Sequence, residues 1–224
     1  GVLGMSPGAY KQGGRGRRIA YALADSPLGR LLVAATEQGL CALRFGQDDA
    51  LEQELRTEFP HATLAHDPAA VAPYVRAVLA YLAGRQIGLD LPLDVDATAF
   101  QRRVWTALRQ IPYGETRSYS EVAQMIGQPS AARAVAQACA RNPVALVVPC
   151  HRVVGAAGAI GGYRWGIQRK RSLLDREHPS EHPSRPKHLG GERDTGADGR
   201  WPGAHDRAVR PGTVPAGGPA GIVS

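Results

Sequence analysis

The 224-residue chain (23.8 kDa) is 43% hydrophobic and 21% charged, a composition that supports a globular protein with a real buried core. No window approaches ~18 uninterrupted apolar residues, which excludes a membrane-spanning helix, and Gly1–Arg18 lacks the apolar centre of a secretory leader. Three cysteines (Cys41, Cys139, Cys150) are too few and too scattered for a disulfide framework or a paired-cysteine metal site, so a reducing, cytoplasmic setting is expected.

The net charge of +7 is segregated: residues 19–100 carry 5 basic and 11 acidic side chains, residues 101–177 carry 12 and 4. An evenly spread surplus would speak only to solubility. Cations gathered in one stretch favour a polyanionic partner, nucleic acid first.

Residues 1–18 are Gly/Arg-rich and are expected to be poorly ordered. Ile19–Ala24 and Leu31–Ala35 read as strands joined by the turn Ser26-Pro27-Leu28-Gly29, and Cys41–Phe45 as a third strand after Gln38-Gly39. Helices are expected over Asp48–Phe59 and Pro73–Ala83, the second from Val75, Val78, Leu79 and Leu82 at helical spacing. Pro92–Asp96 reads as a linker. No chemistry is evident in this half.

The next segment reads as mostly helical. Thr98 with Gln101 and Ser118 with Glu121 are capping-box patterns that open two helices. Gly127-Gln128-Pro129 is a turn, and Ser130 is placed to cap a third helix running to about Arg141. Short helix, tight turn and second helix make a helix-turn-helix pattern, which ordinary helical hairpins share. The third helix is small-sided, suited either to close packing in a core or to entry into a narrow groove with Arg133 as its long charged side chain. Residues 178–224 hold 9 Gly and 7 Pro, with almost no large apolar side chains, and are expected to be a disordered tail. Its four histidines are irregularly spaced and suggest no metal site.

Val144–Val148 reads as a buried extended run that breaks at Pro149-Cys150-His151-Arg152-Val153. A buried cysteine is usually a small hydrophobe. Here the break places Cys150 where it can line a cavity, and His151, Arg152 and Arg164 would favour its thiolate. A sharp turn after Pro149 would bring His151 near the sulfur.

That pentapeptide, with Arg133-Ala134-Val135 and Asn142-Pro143 upstream, resembles the active-site region of the O6-alkylguanine-DNA alkyltransferases. Gly162-Tyr163-Arg164-Trp165-Gly166 and Leu173-Leu174-Asp175-Arg176-Glu177 resemble the bacterial members, and the resemblance spans about residues 19–177. Leu3–Tyr10 resembles the end of an AraC-type DNA-binding domain. Together these imply the C-terminal part of an Ada-type adaptive-response protein, and the sequence is expected to be a fragment or an incomplete reading frame.

The resemblance implies an α+β fold. A small ribonuclease-H-like sheet domain (19–92) is followed by a helical, winged-helix-like DNA-binding catalytic domain (93–177), with 1–18 a remnant of the preceding domain. It implies Cys150 as alkyl acceptor, His151 as general base through a water, Glu177 as the group orienting that histidine, and Asn142 as a bridge from the helix-turn-helix to the site. A helix C-cap before proline is the plainer reading of Asn142, and both can hold. Arg133 matches the arginine that replaces the extruded nucleotide, and Tyr119 the tyrosine that presses the target phosphate, although a core aromatic is its ordinary reading. Ala131 and Ala132 match small residues at the minor-groove surface. The backbone of Val153 and the side chain of Tyr163 match walls of the guanine pocket.

Thr36 to Cys41 holds no histidine where some animal members ligate zinc, so neither metal nor cofactor is expected. The cysteine cluster of an Ada-type N-terminal zinc domain is lacking as well. Cys139 stands where the family more often has an apolar residue; packing is its expected role, with a second reactive thiol the alternative. The expected function is direct, single-turnover repair of O6-alkylguanine, and of O4-alkylthymine, in double-stranded DNA by a monomeric protein. The alternatives are a non-catalytic, alkyltransferase-like lesion binder and the fragment of a transcriptional regulator. A cysteine hydrolase would need an oxyanion-hole loop that nothing here resembles.

Overall fold

Strand β2 (Leu31–Thr36) is apolar at every position but its last, which a strand tolerates when both of its faces are covered. The computed structural model, which describes residue 14 and residues 16–178, covers both. Strands β1 (Arg18–Ala24), β2 and β3 (Gly39–Phe45) form an antiparallel meander, and β4 (Thr63–His66) adds parallel to β1, giving the order β3-β2-β1-β4. Side chains alternate across this sheet. Ile19, Tyr21, Leu32 and Ala34 meet Leu51, Leu55 and Phe59 from helix α1 (Asp48–Glu58) and the residue after it. Ala22, Leu31, Val33 and Ala35 face the opposite way, toward Val71 and Val78 of α2 (Pro68–Leu82) and the helical half of the chain.

That second core is continuous from the sheet into the helices. Val104, Trp105 and Leu108 of α3 (Ala99–Arg109), Val122 of α4 (Tyr119–Met125) and Val135 of α5 (Ala132–Ala140) belong to it. The fold is α+β, as expected. Both capping boxes form, Thr98 with Gln101 and Ser118 with Glu121, each partner within three residues of the other. The indole N–H of Trp105 donates to the carbonyl of Ala138 at 3.0 Å, tying α3 to α5. A short parallel pair, β5 (Arg117–Ser118) with β6 (Val153–Val154), joins the start of α4 to the residues after Cys150, and α6 (Ile167–Glu177) closes the described fold.

Several expectations are corrected. β4 was not expected: its four residues are too few for a periodic signal, and it exists by pairing with β1. Helix α2 starts five residues ahead of Pro73, at Pro68, because Asp67 caps it by accepting from the Ala70 N–H. Residues 92–96 are no free linker. Leu93, Asp94 and Val95 are buried, the Leu40 N–H donates to the Pro92 carbonyl at 2.8 Å, and the Asp94 N–H donates to Leu40 at 2.9 Å. Arg17 donates to the Asp94 carboxylate at 2.6 Å and Arg18 opens β1, so these two residues belong to the ordered fold. Ser130 caps nothing, since Ala131 occupies the N-cap position of α5 without a side-chain bond. The expectations for Leu3–Tyr10 and for the tail beyond His178 lie outside the described residues.

Val144–Val148 is buried as expected but is not extended. Only Val144 bridges to β3, at Leu43, and Leu146 takes a left-handed φ of 68°. An apolar run reports burial; the path is set here by the contact with β3 and by the turn that follows.

Gly39 ties the sheet to the 92–95 strap, with a φ of 151° and a Cβ position 2.6 Å from the Pro92 carbonyl oxygen. Gly39→Ala is expected to destabilise the fold by on the order of 2 kcal/mol, measurable by urea unfolding, because backbone rather than a flexible side chain has to move.

Candidate active site

The chain reaches Cys150 through a sequence of turns that hide polar groups and then satisfy them. Asn142 lies one residue beyond Arg141, the C-cap of α5, and is fully buried. Its side-chain oxygen accepts from the Val144 N–H at 3.0 Å, while its amide donates to the Val148 carbonyl at 2.8 Å and to Cys150 Sγ at 3.3 Å. One side chain therefore holds both ends of the 144–148 turn and the sulfur, which goes beyond a helix C-cap. Its backbone N–H returns to the Cys139 carbonyl at 3.2 Å.

Cys150, His151 and Arg152 form a single 3-10 turn, the sharp bend expected after Pro149. His151 Nε2 lies 2.6 Å from Glu177 Oε1, and Arg152 Nε donates to Glu177 Oε2 at 2.7 Å. The Tyr81 hydroxyl donates to the same carboxylate, and the Gly114 N–H reaches it at 3.5 Å. Arg152 also donates to the Ile111 carbonyl at 2.7 Å and lies against the Tyr113 ring. Burial alone would raise the Glu177 carboxyl, but hydrogen bonds from His151, Arg152 and the Tyr81 hydroxyl, with the charge His151 takes on when it is protonated at low pH, hold it down at about 2. An ionised carboxylate only accepts, so His151 Nε2 carries the proton and Nδ1 the lone pair. Nδ1 is buried and has no hydrogen-bond partner among the described residues.

Burial lowers the His151 pKa against the pull of Glu177, so the imidazole is neutral at rest. Burial likewise pushes the Cys150 thiol up to about 11, and the Asn142 hydrogen bond with the Lys170 and Arg164 charges offsets this only in part. The resting group is a thiol, not the cation-favoured thiolate expected from the neighbouring sequence. Lys170, itself fully buried, donates to the Val153 carbonyl at 2.5 Å.

A cavity of about 340 Å³ opens onto Cys150. Tyr119, Cys139, Tyr163 and Arg164 line it with the small residues Ala136, Ala140 and Gly162. The Tyr163 hydroxyl is buried and unpartnered among the described residues. Val153, expected as a wall of the pocket, is not among these lining residues; it is fully buried, paired with Arg117 of β5 and bonded through its carbonyl to Lys170. Ala131 and Ala132 are half-buried at the start of α5, and Arg133 is exposed beside them. Cys139 is buried in the cavity wall, and burial raises its pKa. The structure thus gathers Asn142, Cys150, His151 and Glu177 into one cluster and sets Tyr119 and Tyr163 around the cavity. It also adds Tyr81 and Lys170, and it sets Arg152 and Arg164, expected only to favour the thiolate, against Glu177 and in the cavity wall. Arg152 sits inside the recognisable pentapeptide, whereas Tyr81 lies 96 residues from Glu177 in the half expected to hold no chemistry.

Two family models match the chain. Residues 19–95 match the 6-O-methylguanine DNA methyltransferase ribonuclease-like domain, and residues 99–179 match the DNA-binding domain of the same family. The bifunctional transcriptional activator/DNA repair enzyme Ada of Escherichia coli K12 is 51% identical over 181 residues, which cover 80% of this chain and 51% of that protein. A methylated-DNA–protein-cysteine methyltransferase of Mycobacterium bovis is 48% identical over 159 residues, covering 71% of this chain and 92% of that one. Among solved structures, that of Mycobacterium tuberculosis OGT in complex with DNA aligns with a TM-score of 0.62 and 49% identity, over 70% of this chain and 92% of that one. The chain spans about half the length of the Ada proteins it matches.

The Glu177 carboxyl, held near 2 in the fold against 4.5 ordinarily, contributes stability that is complete above about 4.5 and is lost as pH falls toward 2. Glu177→Gln is therefore expected to be less stable than the parent by on the order of 3 kcal/mol at neutral pH. In urea titrations the two curves should converge as pH drops through that window; a difference that is constant with pH contradicts the assignment.

Proposed function

The chain belongs to the 6-O-methylguanine DNA methyltransferase family, and on that premise we propose that it repairs O6-alkylguanine, and O4-alkylthymine, in double-stranded DNA by moving the alkyl group onto Cys150. The observation that carries this reading is the thiol of Cys150 opening on a cavity beside a neutral His151 whose free Nδ1 is set by Glu177. His151 Nδ1 takes the thiol proton through a water, and Glu177 stabilises the imidazolium that forms. Sγ attacks the alkyl carbon as its bond to O6 breaks, and the electron pair leaves on the base, which is then protonated. The thioether has no easy leaving path. Each protein acts once.

A neutral resting thiol suits this chemistry. Burial keeps it protonated until a substrate is seated, and the Asn142 amide and the Lys170 charge are in place for the thiolate as it forms. The unpartnered Tyr163 hydroxyl is available to the guanine. Tyr119 presses the target phosphate, Ala131 and Ala132 approach the minor groove, the Val153 backbone backs the base pocket, and Arg133 fills the gap left by the extruded nucleotide. Flipping is required because the base stack blocks in-line attack by sulfur. The protein acts as a cytoplasmic monomer without metal or cofactor.

Incubation with an oligonucleotide carrying O6-methylguanine is expected to add one methyl group per protein, mapped by peptide mass to Cys150, and none to Cys150→Ser. Label found mainly on Cys139 or Cys41 overturns the assignment. Arg133→Ala is expected to slow repair of duplex substrate by roughly tenfold or more, from the lost support of a step that costs a few kcal/mol, while sparing reaction with the free base O6-benzylguanine. Equal losses on both substrates would make Arg133 a residue of the fold.

A further inference from the structure

Among the described residues, Arg164 is the only charged side chain that lines the Cys150 cavity. Its guanidinium lies 5.8 Å from the centre of the Trp165 ring and 3.5 Å from Glu54 Oε2. Glu54 is half exposed on α1 and is shared with Arg44 at the same 3.5 Å distance, while Arg44 has Glu58 as a closer partner. A long ion pair to a solvated carboxylate is weak, so this guanidinium exchanges readily for another anion. It is also near enough to Cys150 for its charge to favour the thiolate against burial.

A methyl group makes no use of such a charge. An alkyl group ending in a carboxylate does, for two reasons. The planar guanidinium matches a carboxylate in a fork of two hydrogen bonds. The incoming sulfur carries negative charge, and a carboxylate on the carbon under attack would repel it unless a cation stood beside both. Resting on the alkyl-transfer reading above, we propose that Arg164 makes this cavity accept anionic O6-alkyl groups, with O6-carboxymethylguanine as the type substrate. Sγ forms a bond to the methylene carbon, the bond from that carbon to O6 breaks, guanine takes the electron pair and a proton, and Cys150 is left as its S-carboxymethyl thioether. The released His151 proton balances the step.

The test compares single-turnover rates on duplexes carrying O6-carboxymethylguanine or its neutral isostere O6-carbamoylmethylguanine, with O6-methylguanine as reference. Arg164→Gln is expected to lower the carboxymethyl-to-carbamoylmethyl ratio about tenfold, the scale of a lost charge-assisted hydrogen bond, and Arg164→Lys to keep part of it. An unchanged ratio in Arg164→Gln, or equal slowing on both adducts as from an arginine that merely touches phosphate, overturns the proposal. Should that variant fail to fold, Glu54→Gln decides: removing the competing carboxylate is expected to raise the ratio, and no rise counts against Arg164. Wild-type protein that accepts no methyl group defeats the alkyl-transfer reading itself, whereas methyl acceptance with an unchanged ratio defeats only this inference.

Discussion

The carboxylate of Glu177 is the point on which the site is built. It is a buried anion at the C-terminal end of a helix, where the helix dipole disfavours negative charge. Its position there costs energy that only tertiary partners offset. Those partners come from three parts of the chain: Tyr81 near the end of α2, Gly114 after α3, and His151 and Arg152 in the turn at Cys150, all converging on the last residue of α6. Each interaction serves twice, satisfying the buried charge and fixing where an element ends. Gly114 shows how tight the closure is, since a Cβ there, at a φ of +81°, would lie 2.9 Å from the Glu177 carbonyl oxygen.

From this arrangement follow the protonation states on which the chemistry turns. An ionised Glu177 fixes the histidine tautomer, so the lone pair sits on Nδ1, and burial keeps both the imidazole and the Cys150 thiol neutral. Reactivity is held back by desolvation and released by proton transfer when the substrate arrives. Asn142 performs the corresponding task for geometry, because it anchors the sulfur and the turn before it while its backbone is tied to the end of α5. A displacement of the small-sided helix would therefore be felt at the sulfur. In the proposed function, that couples the DNA-facing helix to the reacting atom without any intervening flexible segment.

Two cations, one buried and one at the cavity mouth, complete the picture. Among the described residues, the Lys170 ammonium has the Val153 carbonyl as its hydrogen-bond partner and no carboxylate, an arrangement suited to a site that acquires negative charge during the reaction. Arg164 stands at the cavity wall with a partner it can release. The acidic half of the sequence supplies the counter-charges: Glu54 and Glu58 sit beside Arg44 and Arg164 on one face of the sheet unit, and Asp94 holds Arg17 and Thr36 at the strap. The Glu54–Arg164 and Asp90–Arg109 pairs show that part of the charge segregation along the chain is resolved by pairing between the acidic and basic segments.

What the sequence determined by itself was whatever depends on neighbours a few residues apart. The three meander strands, α1 and both capping boxes are of this kind, because alternation, helical spacing and a Ser or Thr three residues before Gln or Glu act locally. The pentapeptide around Cys150 was legible for the same reason, and with it the resemblance that pointed to Asn142, His151 and Glu177. Tertiary structure alone decided the rest. β4 is a strand only because β1 offers an open edge, the 92–95 strap is buried only because β3 pairs with it, and the 144–148 run turns instead of extending because β3 and Asn142 claim its polar groups. Tyr81 carried no local sign of its role, being set against Glu177 by the packing of α2 on the sheet and of α6 on the turn. The physical reason is common to all four: a buried polar group must find its partner wherever the fold places one, and that separation in sequence leaves no pattern to read.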